Sequence, residues 1–387
     1  MKFATRMSRL GTESAFEVLA RAKALEAEGH DIVHLEIGEP DFDTPHDIVE
    51  AAVQALRDGY THYTPAAGMP VLRQAIADYV SHTRDVNITP DQVVVVPGGK
   101  PVMFHTMMML CEEGDEVIYP NPSFPIYESM INFSGAKAVP IRLSMDRGFG
   151  FAPEDLEALV TPQTRLIIIN SPANPTGGVQ SAEDLRAIAE IAIKHDLIVL
   201  SDEIYSRIIY DGEFFSIASI PGMLERTIIL DGFSKTYAMT GWRMGYGVMP
   251  ATLAQRMAQL VVNSTSCTAA FSQVAGAAAL TGSQADVDQM VAAFRERRDL
   301  VVAGLNEIPG FKCIVPRGAF YAFPSIEGTG LKSKDLADRL LSEAGVAVLS
   351  GTAFGAYGEG FLRLSYATSK DNINRALERI DAVVRKG

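Results

Sequence analysis

The sequence predicts an α/β fold: a large domain on a mostly parallel sheet flanked by helices, joined to a smaller α+β domain. Length is the first reason, because 387 residues exceed what a single core usually serves and favour two unequal domains. The second is a set of short β-branched runs at 93–96, 117–119, 166–169, 197–200, 227–230 and 246–248. These are apolar throughout rather than alternating, the pattern of strands covered on both faces. Helical periodicities at 69–82, 101–111, 182–195 and 251–262 separate them. The third is a change of pattern after Gly282. A charged helix at 284–306, carrying Arg295-Glu296-Arg297-Arg298, is expected to present a solvated face and connect the domains. Beyond it, strand-like runs at 311–315, 319–323, 346–349 and 361–365 mix with helices at 333–344 and 370–385. The expected division is 45–285 for the large domain and 1–44 with 286–387 for the small one.

Composition narrows the function. Hydrophobic residues are 47% and charged residues 21%, ordinary for a globular protein. The formal net charge of −13 disfavours nucleic acid as a partner, since an acidic surface repels phosphate backbones. Cys111, Cys267 and Cys313 form no CxxC pair and total an odd number, which fits a reducing compartment. The first nine residues lack the apolar core of a leader peptide, and no apolar stretch approaches the roughly 20 residues that span a bilayer. A cytoplasmic protein without a membrane partner is expected, and no metal site.

The run 227–230 empties into Asp231-Gly232-Phe233-Ser234-Lys235-Thr236-Tyr237, and the turn closes with Gly241-Trp242-Arg243-Met244-Gly245. A lysine at the mouth of a sheet, partly desolvated and near other cations, has its ammonium form disfavoured, so its amine can attack a carbonyl. Arg243 offers a guanidinium fork suited to phosphate. An aldehyde-bearing phosphate, pyridoxal 5'-phosphate, would use both. Either residue alone would read as a surface charge. Their glycine-punctuated setting, where backbone can approach a ligand closely, favours the cofactor.

Other strand ends converge on that loop. Asp202, in Ser201-Asp202-Glu203-Ile204-Tyr205, could keep a pyridine nitrogen protonated or simply cap a helix. Asn174, in Asn174-Pro175-Thr176-Gly177, and Tyr205 could bind the cofactor's phenolic oxygen or be satisfied core polar groups. Pro97-Gly98-Gly99-Lys100 opens a helix whose free N–H groups suit a phosphate, although it is no Walker A loop. Phe124 could stack on a flat ring or be core.

In their order, these motifs resemble the class I aminotransferases of pyridoxal phosphate fold type I, the group that holds aspartate, alanine and aromatic aminotransferases. The similarity spans nearly the whole chain, from Ile37-Gly38-Glu39-Pro40-Asp41-Phe42 and Tyr63-Thr64-Pro65-Ala66-Ala67-Gly68 to Phe361-Leu362-Arg363-Leu364-Ser365. It implies a seven-stranded sheet and Lys235 as the Schiff-base lysine. It makes Ser234, Arg243 and the N–H groups of Gly99 and Lys100 phosphate ligands, Phe124 the stacking ring, and Asp202 the partner of the ring nitrogen. Tyr205 and Asn174 would bind the phenolic oxygen, while Arg363, with Asn174 and the backbone of Gly38, would hold the α-carboxylate of an amino acid or 2-oxo acid. Tyr63 would reach the phosphate of a neighbouring subunit, which implies a homodimer.

The expected activity is a ping-pong transamination. A β-lyase or decarboxylase on the same scaffold is the alternative, and a non-catalytic effector-binding module is a more distant one. A nicotinamide dehydrogenase would want a GxGxxG after its first strand, which is missing. Gly232 stands where many relatives have serine, and Cys267 where asparagine is common. No arginine lies between Arg256 and Arg295, where some dicarboxylate-specific members place a second clamp. Donor selectivity is expected near Phe16 and Ile37.

Overall fold

A computed structural model describes residues 1–386. Helix α1 (Ser14–Ala27) precedes β1 (Val33–His34), and α2 (His46–Arg57) and α3 (Pro70–Arg84) lead to β2 (Val93–Val96). Then α4 (Lys100–Leu110), β3 (Glu116–Asn121), α5 (Ile126–Ser134), β4 (Lys137–Arg142), α6 (Pro153–Leu159), β5 (Thr164–Asn170), α7 (Ala182–Lys194) and β6 (Ile198–Asp202) alternate. Strands β7 (Thr227–Gly232) and β8 (Gly245–Val248) are followed by α8 (Ala251–Ser264), α9 (Ala270–Thr281) and α10 (Ala285–Glu307). The last part holds β9 (Tyr321–Ala322), α11 (Ser333–Ala344), β10 (Val346–Ala347), β11 (Leu349–Ser350), β12 (Leu362–Ser365) and α12 (Lys370–Lys386).

The main sheet has seven strands in the order β2-β8-β7-β6-β5-β3-β4. Strand β8 runs antiparallel to both neighbours, and every other pair is parallel. Continuous hydrophobicity here does mean two covered faces. Val93 and Val95 pack with Ile76, Phe233 and Met244, while Val94 and Val96 pack with Val102, Met107 and Met257. Strand β4 escapes the sequence pattern because it is an edge. Exposed Lys137 and Arg142 bracket it and Pro140 interrupts it, devices that guard an unpaired edge.

Away from this sheet, β11, β12 and β9 form an antiparallel trio, and β1 pairs parallel with β10 through Val33 and Val346. Several expectations need correction here. The run 311–315 contributes only a bridge between Lys312 and Ser325. The run 319–323 shrinks to β9, since Ala319 at φ 56° leaves extended geometry. The run 346–349 divides into β10 and β11. Helix α10 is not simply solvated, because Val287, Met290, Phe294, Val301 and Leu305 are buried, an apolar stripe hidden among charges. Arg298 is only 5% exposed and bonds Asp211 and Asp299. Among the described residues no helix is long and apolar enough to cross a membrane, and no cluster of metal-ligating side chains occurs.

Candidate active site

The carboxyl ends of β5, β6 and β7 and the start of α4 open onto a cleft of about 470 Å³. Such sheets collect ligands at this edge because strands end there and helix N-termini begin. Lys235 lies three residues past β7 and lines the cleft. Its Nζ donates to the Gly38 carbonyl at 2.5 Å and sits 5.9 Å from the Phe320 ring centre. Burial pulls its pKa down to about 8; Glu39 opposes the shift, while Arg363 and Arg243 add to it. The neutral amine, the form a nucleophile requires, is therefore a minority of about a tenth at pH 7, far more than an ordinary lysine would offer.

Asp202, the last residue of β6, is 4% exposed and also lines the cleft. Tyr127 donates to its Oδ2 at 2.6 Å, and the N–H of Ile204 donates to Oδ1 at 3.2 Å. Burial nevertheless pushes its pKa up to about 6, against the hydrogen bond from Tyr127. At pH 7 it is mainly ionised. Phe124 meets the Tyr127 ring edge-on at 5.8 Å, so the ring on the cleft wall and the phenol holding Asp202 come from one turn of chain.

Arg363 on β12 is 3% exposed. Nη1 donates to Asn174 Oδ1 at 3.2 Å, Nη2 donates to the Glu36 carbonyl, and Nε has no partner. The rings of Tyr321 and Phe354 flank the guanidinium at 4.7 and 5.0 Å, which fixes its plane. Tyr205 shares a 2.7 Å hydrogen bond with the Tyr321 hydroxyl. Gly38 is required where it stands, because a Cβ there would overlap that same hydroxyl.

Arg243 closes the loop that Lys235 opens. It sits at φ 52°, a costly backbone for a branched-out side chain, and its Nη1 donates to the Thr240 carbonyl at 2.7 Å. The guanidinium lies over Gly98, where any Cβ would collide with it. Gly99, Lys100 and Ser234 line the same end of the cleft. Lys100 opens α4, but its ammonium is tied to Glu13. Gly232 faces Gly245 across the β7–β8 ladder, where a Cβ would lie 2.9 Å from the Gly245 Cα. This crossing leaves no room for a side chain at position 232 unless the backbone shifts. Cys267 lies outside this cleft, on an adjacent groove beside Arg243 and Trp242.

Of the residues expected at the site, only Tyr63 stands apart from the cleft, with 90% of its surface exposed. Sequence reasoning missed Tyr127, Tyr321 and Glu13. Tyr127 carried a usable signal, three residues after Phe124 and near the start of a helix. Tyr321 and Glu13 meet the site only through long-range packing.

The arrangement has known counterparts. Residues 30–380 match the family model for aminotransferase class I and II. An aspartate aminotransferase of Pyrococcus abyssi is 41% identical, with 92% of each chain covered. An aromatic-amino-acid aminotransferase of Thermococcus litoralis is 40% identical, again over 92% of each. The crystal structure of the aspartate aminotransferase from Rhizobium meliloti superposes with a TM-score of 0.95 at 39% identity, covering 100% of this chain and 99% of that one. The chain belongs to the class I and II aminotransferases. It is a pyridoxal-phosphate-dependent enzyme that exchanges amino groups between amino acids and 2-oxo acids.

The residues present fit that cofactor. An enclosed amine, an anion-holding cradle built on Gly98 and Arg243, and a buried carboxylate on the cleft wall match its aldehyde, phosphate and ring nitrogen. The unpartnered Nε of Arg363 leaves a buried donor for a substrate carboxylate.

Proposed function

We propose that Lys235 carries the amino group transfer as attachment point and proton shuttle, with Arg363 and Asn174 holding the substrate α-carboxylate beside the Gly38 backbone. The observation that supports this best is the enclosed Lys235 amine, held at 2.5 Å from the Gly38 carbonyl with a pKa near 8. When bound, pyridoxal phosphate supplies a reactive aldehyde and an electron-withdrawing ring. Asp202 would hold the ring nitrogen's proton, and Tyr127 steadies the carboxylate that does so. Tyr205 and Asn174 would donate to the phenolic oxygen, and Phe124 would cover one ring face. Arg243, Ser234 and the N–H groups of Gly99 and Lys100 would seat the phosphate, where the α4 dipole favours an anion. The Lys235 amine would be placed to take the substrate's α-proton and return it.

We assign the donor an uncharged, apolar side chain. The names of the relatives point both ways, to aspartate and to aromatic amino acids. Once Lys235, Arg243 and Arg363 have their roles, Lys100 is the remaining lysine or arginine lining the cleft, and Glu13 already neutralises it. Phe16, Ile37, Met103 and Ala353 complete that wall. A panel of donors against 2-oxoglutarate and pyruvate tests this. Aromatic and aliphatic donors should exceed aspartate in kcat/KM, and Glu13→Gln, which frees Lys100, should raise aspartate turnover about tenfold. Preference for aspartate in the unaltered enzyme would overturn the assignment.

A second copy of the chain is proposed to complete the site with its Tyr63. Full exposure of that phenol supports this, as does an open groove beside Arg243 lined by Trp242, Cys267 and Phe271. The free cysteines support a reducing, cytoplasmic setting. Pairing of β1 with β10 supports the proposed division into 45–285 and 1–44 with 286–387.

A further inference from the structure

The residue whose backbone carbonyl Arg363 holds carries a buried carboxyl group that the chemistry above does not use. Glu36, two residues past β1, is 0% exposed. Its carbonyl accepts from Arg363 Nη2. Its Oε1 faces His34 Nδ1 at 2.8 Å, and its Oε2 has no partner. Arg363 Nε is also unpartnered; the two side chains make no hydrogen bond to each other, and the Glu36 carboxyl acts on the guanidinium through its charge. His34 is held from its other side as well, with Nε2 3.1 Å from Glu26 Oε1. An imidazole with a carboxylate oxygen at each ring nitrogen satisfies both only when both nitrogens carry protons, because a neutral ring turns a lone pair toward one of them.

We propose that Glu36 and His34 are a positioning pair that sets how firmly Arg363 holds a substrate carboxylate. As an imidazolium, His34 compensates Glu36 and leaves the guanidinium free for substrate. Once His34 is neutral, Glu36 competes for the same guanidinium from the protein side. The inference rests on Arg363 being the α-carboxylate clamp.

Electrostatics in a buried site makes the competition effective. Arg363 is enclosed, and burial pulls its pKa below the ordinary range, with Tyr321, Tyr205, Glu36 and Glu13 opposing in that order. At 3% exposure the guanidinium is poorly screened by solvent, so a buried carboxylate near it acts on it strongly. The charged groups around His34 are few. Glu36 follows it two residues past β1, and Glu26 faces it from α1. Strand β10 brings Val346 and Ala347, and on α12 Arg375 and Arg379 are engaged by Asp31. Burial disfavours the His34 charge, but the hydrogen bond to Glu36 and then that to Glu26 outweigh it, leaving its pKa above the ordinary 6.5. Compensation is thus present at pH 6.5 and lost as pH rises through that higher value.

The test is calorimetric binding of 3-phenylpropionate, a carboxylate with no amino group, to the holoenzyme between pH 6 and 9. Dissociation constants should rise about threefold to tenfold across the range in the unaltered enzyme. Glu36→Gln should bind more tightly than the parent at pH 9 and lose the rise. His34→Gln, altered at a partly exposed position, should bind weakly at every pH. A merely structural Glu36 would give weaker binding in Glu36→Gln with the pH profile kept, and that result overturns the inference. Unchanged profiles in both variants do the same. Arg363→Gln is the separate control: if it leaves binding intact, the clamp assignment itself fails.

Discussion

Lys235 carries its ammonium at a cost to the fold. Its pKa of about 8 in the folded chain lies below the ordinary 10.5, so the unfolded chain binds more protons between those values and stability rises with pH there. Below pH 8 the penalty is fully present. Lys235→Met should therefore abolish turnover yet raise the melting temperature of the cofactor-free protein by roughly 2–4 °C at pH 7. The gain should shrink as pH climbs from 8 toward 10.5, which scanning calorimetry can follow; a lower melting temperature at pH 7 would contradict this account. Lys235, Asp202 and Arg243 were legible in the sequence because each ends a strand or opens or closes a glycine-rich turn, where local pattern announces exposure to a ligand. Tyr127 reaches Asp202 across 75 positions and Tyr321 reaches Tyr205 across 116. No local rule encodes such meetings; they follow from strand order.

Helix α3 anchors the strand ends from behind. Its last residue, Arg84, is 3% exposed and donates to Glu203 Oε2 at 3.0 Å, Asp231 Oδ2 at 2.5 Å and Ser206 Oγ at 2.9 Å. Ser201 and Ser216 donate to the other oxygen of Glu203, so the cluster is closed. Removing one partner of a buried ion pair leaves uncompensated charge, typically worth 3–5 kcal/mol. Arg84→Met should lose about that much in denaturant unfolding at pH 8. Asp231 is pushed up to about 6 by burial, with Arg84 opposing, so without Arg84 it rises further. A raised carboxyl pKa favours the folded state at low pH, so the variant's deficit should narrow as pH falls toward 6. An equal deficit at both pH values would refute the charge explanation. This cluster was not read from the sequence, where Arg84 is one more basic residue at a helix end. Strand β4 and the buried stripe of α10 were obscured for a related reason, since charge and proline masked packing that only neighbours reveal.

The assembly of α/β layers was the most legible property of all. Runs such as Val93–Val96 have no solvated face to offer, and that forces helices onto both sides of the sheet. The proposed shared site makes Tyr63 the test of how many chains form the working enzyme. Tyr63 is 90% exposed, and under that proposal a second protomer covers it and supplies its own Tyr63 hydroxyl to this site. Sedimentation should show a dimer at micromolar concentration, and Tyr63→Phe should speed cofactor loss without changing the dimer's mass; a monomer with full activity would rule out the shared site. Strand β8, the one reversed member of the sheet, has a consequence of its own. Because it turns back against β7, the Lys235 amine and the Arg243 guanidinium, the two groups proposed to hold the cofactor's aldehyde and phosphate ends, stand at the two shoulders of a single hairpin. Residues 227–248 are thus a cassette with its own internal ruler, and lengthening it by even one residue would alter the span between both grips without touching either.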